Sequence, residues 1–406
     1  MFVLIRQSVV LNKVLFKKED AMLNLNRKKV VALLCLLGIT ILPSCLQRPT
    51  GFGIIFSSNE GIYDTNDLYR METISQNEYE RLTFTPTISE RNVLVSKTGD
   101  RIVFSTDRLD WERATPLDLE LEPLDHVFHL DVVNRTLEDL TAIYEARPFE
   151  LGTIPADVSS DEKRIAVITG SGDPAIMDFN GENKDLLTIG FSNELPHVVK
   201  EMQWSPDGKK LALSRVLVGS DKQSQNPGLS LVIYDIETEE LWQIADHHEN
   251  CYDITWSPNS QQLVVTCHRR FPYSEFSGPL TVRILNAENS VQRPAYEHLE
   301  LTSCLEPSWS SDGEKLVFVC EEDDKNGLFV INHDGSGLRE MKLGDLGNPS
   351  LILTPFWSPI SDQIVYVAGN DYEHLNVYLI NSDGSSNHSL MDHEASYRLI
   401  SVYPIP

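Results

Sequence analysis

Positive charge is what this 406-residue sequence most lacks: 34 Lys and Arg stand against 60 Asp and Glu, a formal net charge of −26 at pH 7. That balance argues against nucleic acid as a partner, because gripping phosphates takes clustered cations that release counterions. It also disfavours adhesion to an anionic lipid surface by charge. A membrane-length apolar run is missing as well. The most apolar stretch, Val30–Leu42, has thirteen residues, about 20 Å as a helix against a hydrocarbon core of about 30 Å. No G-x-S-x-G nucleophile elbow and no His-Glu-x-x-His pair occurs, which removes the usual hydrolase and metalloprotease signatures. After residue 45 no segment keeps a helical apolar period for several turns, so a helical body is excluded and an all-β one expected.

The N-terminus reads as an export signal. Arg27-Lys28-Lys29 is a basic start, Val30–Leu42 an apolar h-region, and Leu42-Pro43-Ser44-Cys45 resembles a bacterial lipobox with Cys45 as the lipidated residue. Pro43 departs from the usual pattern, and the alternative is an uncleaved signal anchor. Met22 stands at the usual distance before such a signal and is a candidate true start. The expected organisation is a signal over 1–45, a tether over 46–52 and one domain over 53–406, lying outside the cytoplasm.

Internal repetition decides the rest. Trp204 opens WSPDGKKLAL, Trp256 opens WSPNSQQLVV, Trp309 opens WSSDGEKLVF and Trp357 opens WSPISDQIVY. Two earlier copies begin at Val95 (VSKTGDRIVF) and Val158 (VSSDEKRIAV), and the six anchors lie 63, 46, 52, 53 and 48 residues apart. Each copy reads as a strand end, a tight turn and a second strand. A third strand with an acidic or amide turn follows, as in LVIYDIETEE and LFVINHDGSG, then a shorter fourth. Four antiparallel strands every 40–50 residues is the pattern of a β-propeller blade. Residues 53–83 match the last three strands of a unit and ISVYPIP at the C-terminus matches the missing first one. Joining them closes the ring without an open edge. Six internal units and this composite predict seven blades, with six as the alternative.

The in-phase WSPDG-type copies resemble the repeat of the TolB-like β-propeller family, over nearly all of the chain from about Gly53. The resemblance implies an envelope-associated binding protein. TolB itself has six blades and an additional α/β domain before its propeller, for which there is no room between Cys45 and Gly53. Similar blades occur in some serine peptidases, which carry catalysis in a separate α/β domain; this chain has no room for that either.

Two cysteine pairs share one register. Cys251 and Cys304 stand five residues before their Trp, and Cys267 and Cys320 eleven after it. A hairpin centred near the third residue after Trp puts those positions opposite each other, close enough for a disulfide after modest adjustment. Cys251–Cys267 and Cys304–Cys320 are therefore the expected bridges; free buried thiols are the alternative.

Other candidates are weaker. Gly170-Ser171-Gly172-Asp173-Pro174-Ala175 superficially matches a dinucleotide loop but sits between two strands, which makes it a turn. The acidic turns at 323–327 and 381–384 lack the alternating ligands and terminal Glu of a calcium loop. His247, His248 and His268 emerge at one end of a hairpin, yet no ligand spacing is present, so no metal and no cofactor is expected. Long insertions at 106–125, 215–228 and 268–278 fall on the face that carries the strand-two-to-three and inter-blade connections. They hold Trp111, Arg215, and His268-Arg269-Arg270-Phe271-Pro272-Tyr273 with Phe276. Arg and aromatics together are the composition of interface anchors. The expectation is a monomeric, membrane-tethered propeller that binds a protein or envelope polymer on that face and has no catalysis of its own. The alternative is an extracytoplasmic lyase or hydrolase working in the central pocket.

Overall fold

The computed structural model describes residues 51–58, 67–73, 78–83, 90–106, 126–140, 153–179, 185–187, 197–217, 229–245, 249–270, 277–288, 297–298, 303–322, 325–346, 349–391 and 395–405. They form seven antiparallel four-stranded sheets. Blade I is composite: Tyr397–Pro404 lies innermost, then Phe52–Ser58, Asp67–Glu72 and Tyr79–Arg81. Blade II runs outward as Glu90–Val95, Arg101–Thr106, His126–Asp131 and Thr136–Asp139, and blade III as Ile154–Val158, Arg164–Ile168, Pro174–Asp178 and Asp185–Leu186. Blade IV is His197–Trp204, Lys210–Leu217, Leu229–Asp235 and Leu241–Ala245; blade V is Glu249–Trp256, Gln262–Arg270, Ser277–Asn286 and Glu297–His298. Blade VI is Cys304–Trp309, Lys315–Glu322, Lys325–Asn332 and Arg339–Glu340; blade VII is Leu351–Trp357, Gln363–Gly369, Leu375–Asn381 and His388–Ser389. Each innermost strand touches the innermost strands of both neighbouring blades, and blade VII reaches blade II through blade I, so the ring is closed. The seven-blade expectation holds, and so does the seam made from both ends of the domain: Phe52–Ser58 pairs with Tyr397–Pro404 along its whole length. Among the described residues no helix is long and apolar enough to cross a membrane.

The core sits between blades rather than inside one. Seven apolar clusters each join two adjacent sheets. Successive side chains of a strand point to opposite faces, so a second strand must bury both. In Lys210–Leu217, Leu211 and Leu213 pack toward blade III while Ala212 packs toward blade V. That is why these strands read as continuous apolar runs instead of alternating ones.

The WSPDG-type turns are explained by their hydrogen bonds. Ser205 Oγ donates to Asp207 Oδ1 at 2.7 Å and accepts from Lys210 N at 2.9 Å. Ser159, Ser257 and Ser310 repeat the arrangement with Asp161, Asn259 and Asp312. The Ser hydroxyls hold the Asp161 and Asp312 carboxyls below the usual carboxylate range. Four residues after the anchor the backbone enters the left-handed region, at Gly99, Glu162, Gly208, Ser260 and Gly313, a conformation that costs glycine least.

The anchor side chains face the seams. Trp256 Nε1 donates to Gln203 O and Trp309 Nε1 to Thr255 O, each 3.2 Å away in the preceding blade. Arg164 lies 4.8 Å from the Trp204 ring centroid and Lys315 5.8 Å from that of Trp357, cation–π contacts between neighbouring blades. At the composite blade, Phe56 stacks on Tyr69 at 5.4 Å and meets Tyr397 edge-on at 5.8 Å.

Candidate functional site

In the six blades that carry an anchor, the innermost strand is interrupted by a bulge before it, for example between Val199 and Glu201, Tyr252 and Thr255, Leu305 and Ser308, and Leu353 and Phe356. A bulge adds a residue on one strand and re-aims its side chain. The residue three before the anchor has a left-handed backbone in four blades: Asn92 (φ 47), Asp253 (φ 52), Glu306 (φ 54) and Thr354 (φ 45). In blade IV that position is Glu201; in blade III the bulge lies between Pro155 and Asp157, next to the anchor. The inner ring therefore carries a polar residue at its bulge in blade after blade.

Four of these are carboxyls that reach across a seam. Asp157 Oδ2 accepts Trp204 N at 2.7 Å, and Glu201 Oε1 accepts Ile254 N at 2.8 Å. Asp253 accepts the N–H of Glu306, and Glu306 Oε2 accepts that of Thr354. Burial pushes the Asp157 carboxyl up to about 7 and Glu201 likewise to about 7; their main-chain hydrogen bonds oppose the shift without cancelling it. Asp253 and Glu306 are also raised, again chiefly by burial, and ionised Asp253 acts unfavourably on both Glu201 and Glu306. Arg398 on the closing strand offsets part of this at Glu306. Sequence reasoning missed all four. The available signal was an acid three residues before the anchor in three consecutive blades, Glu201, Asp253 and Glu306; Asp157, directly before Val158, does not share that spacing.

The expected disulfides are present. Cys251 pairs directly with Cys267, and Cys304 with Cys320, and both couples are bonded. They tie the innermost to the second strand in two adjacent blades.

The loop face is described only at its base. Arg215, read from sequence as the start of an insertion, instead lies within Lys210–Leu217, paired with Val199 and Ser230. It is buried, its Nε donates to Ser230 Oγ at 3.0 Å, and burial brings its guanidinium down to about 10. The hairpin arms simply run further than the turn signals suggested. His268, Arg269 and Arg270 likewise belong to a strand, Gln262–Arg270, with Arg269 opposite Glu249 and Arg270 opposite Ser277. Trp111, Phe271, Tyr273, Phe276, His247 and His248 lie outside the described residues, as do Cys45 and the signal. Among the described residues no group of three or more His, Cys, Asp or Glu is placed to hold a metal ion. Thr169–Asp173 is a strand-two-to-three turn, closed by Thr169 N to Asp173 O at 2.9 Å.

An inner ring of seven bulged strands inside seven four-stranded sheets defines a closed seven-bladed β-propeller. The chain belongs to the TolB β-propeller domain family, whose model matches residues 175–397. TolB from Acinetobacter baumannii aligns over 70% of this chain at 16% identity with a TM-score of 0.43; the chain covers 61% of that protein's length. An oligogalacturonate lyase in complex with manganese aligns over 84% of this chain and 85% of its own, at 13% identity and TM-score 0.56. A prolyl endopeptidase aligns over 86% of this chain and 49% of its own, at 12% identity and TM-score 0.58. For the lyase and the endopeptidase, at such identities, the likeness is one of fold. A comparison with curated proteins finds no significant match.

Proposed function

We propose that this protein is an extracytoplasmic, membrane-tethered propeller that binds a protein or an envelope polymer and performs no chemistry itself. The observation that carries the reading is the state of the axial carboxyls. Asp157, Glu201, Asp253 and Glu306 are all engaged by main-chain N–H groups of the next blade, a sealing use that leaves binding to the opposite resource, the loops of one face. Two disulfides support a location outside the reducing cytoplasm. The second reading, a lyase or hydrolase at the axis, draws on carboxyls held in successive seams, with Asp253 acting on both Glu201 and Glu306.

Binding is assigned to Arg269 and Arg270, which end the second strand of blade V, and to Phe271, which follows them in sequence. Replacing Arg269, Arg270 and Phe271 together by Ala is expected to cut recovery of crosslinked envelope partners roughly tenfold, the scale of a lost interface hot spot. Undiminished recovery with the same partners rules that patch out. The tether rests on Cys45. Cys45→Ala is expected to move the protein from the membrane pellet to the soluble fraction and to abolish labelling by a fatty-acid analogue; a variant that still sediments and labels refutes lipid attachment there.

A further inference from the structure

Four consecutive seams of the ring share one device. The acceptor is always a carboxyl at the bulge of one blade's innermost strand, and the donor a main-chain N–H of the next. Asp157 joins blade III to IV, Glu201 joins IV to V, Asp253 joins V to VI, and Glu306 joins VI to VII. The seams on the other side are tied differently. Blade I meets II through the exposed Arg135–Glu80 ion pair, and II meets III through Thr98 N and Arg101 Nη1 on Glu162. Blade VII meets I through main-chain bonds between Leu375 and Ala395.

We propose that Asp157, Glu201, Asp253 and Glu306 form a proton-controlled seal along these four seams, tight when the carboxyls carry protons and loosened when they ionise. The inference is independent of what the loop face binds.

Three features support it. The groups are placed in series, so that Asp253 has a carboxyl in the seam before it, Glu201, and another in the seam after it, Glu306. Few cations answer them: Lys97 faces Asp157 and Arg398 faces Glu306, while Glu201 is influenced by Asp253 alone. Their cross-seam N–H partners belong to the neighbouring blade, so the charge on each half-buried carboxyl is felt directly at a seam. Burial is the largest influence on each, and it disfavours the charged form.

The sign follows from linkage. Each carboxyl binds its proton more tightly in the folded chain than in the unfolded one. The native state thus holds more protons between the ordinary carboxyl range and about 7, where Asp157 and Glu201 titrate. Stability is complete at the acid end of that window and is lost as pH rises through about 7. His129, held below the usual imidazole value by burial, acts with the opposite sign, and a variant series separates the two.

The experiment is thermal unfolding of the full chain from pH 5.5 to 8.5, beside the fourfold variant Asp157→Asn, Glu201→Gln, Asp253→Asn and Glu306→Gln. The amides keep an acceptor oxygen and remove the charge. The wild-type Tm is expected to fall by about 5 °C across this range; the variant profile should be nearly flat and lie above wild type at pH 8.5. Equal slopes in the two proteins would overturn the proposal. Should the fourfold variant not fold, Asp157→Asn and Glu201→Gln carry the test singly, each expected to reduce the slope; two unchanged slopes have the same overturning force. Hydrogen exchange corrected for intrinsic rate adds a local readout. Peptides covering Ile254, Glu306 and Thr354 should lose protection with rising pH faster than those covering Thr98 and Arg101, and a uniform loss contradicts a seal confined to four seams.

Discussion

Deleting Tyr397–Pro404 is expected to abolish the single cooperative melt of the domain, leaving an expanded, aggregation-prone chain. This strand supplies the innermost position of blade I and pairs with all seven residues of Phe52–Ser58. Its Tyr397, Leu399 and Tyr403 are buried in two different seams: the first two pack against blade VII and Tyr403 against blade II. Three large buried side chains at about 1.5–3 kcal/mol each already amount to roughly half or more of an ordinary domain stability of about 5–15 kcal/mol. The loss is also topological. Without the strand, Phe52–Ser58 becomes an exposed apolar edge, and an open sheet edge invites pairing with other chains. The Tyr403 ring also lies where Cβ atoms on Gly53 and Gly99 would stand, so its removal uncovers two glycines that have no side chain of their own. Circular dichroism melts with size-exclusion chromatography give the answer; a monomer melting within a few degrees of the full chain would show that the closing strand is dispensable.

The second large effect is expected from the cysteines. Reducing both disulfides, or replacing Cys251, Cys267, Cys304 and Cys320 by Ala, should lower Tm by roughly 5–10 °C, on a loop-closure scale of about 3 kcal/mol per bridge. Each bridge closes a separation of 16 residues. Both also lie in seam cores, with Cys251 and Cys267 in the IV–V cluster and Cys304 and Cys320 in the V–VI cluster, so Ala adds lost packing to lost cross-linking. Calorimetry with and without reductant separates the two contributions. Coincident melts with four titratable thiols in the reduced sample would deny the bridges a stabilising role. Because Cys267 directly precedes His268–Arg270, the first bridge also fixes the base of the hairpin assigned to binding, and its reduction should weaken partner recovery alongside stability.

Legibility in the sequence varied with the range of the physics involved. The turns were readable because Ser-x-Asp-Gly solves a local problem: a hydroxyl that donates to a carboxylate and accepts from a main-chain N–H, and one left-handed residue, all within six positions of the anchor. The disulfides were readable because a short hairpin sets its own register, so that positions five before and eleven after the Trp become opposite. Blade I was readable by subtraction, since a unit lacking its first strand and a leftover C-terminal strand complete each other. The ends of the hairpin arms were less so. Arg215 and Arg269-Arg270 look like insertion residues, because nothing local marks how far two strands stay paired once the apolar run ends.

By itself, then, the sequence determined the repeat, its turn chemistry, the blade number, the disulfide partners and the need for both ends to close one blade. These depend on contacts within a hairpin or on counting strands. Only the tertiary structure decided what happens at the axis. Glu201, Asp253 and Glu306 look like solvent-facing residues of ordinary strands until seven strands are bent into a ring and each carboxyl meets a main-chain N–H of the next blade. Their partners lie some fifty residues away in the next blade, beyond any local pattern. Their resistance to ionisation comes chiefly from partial burial between blades, which a lone strand does not supply.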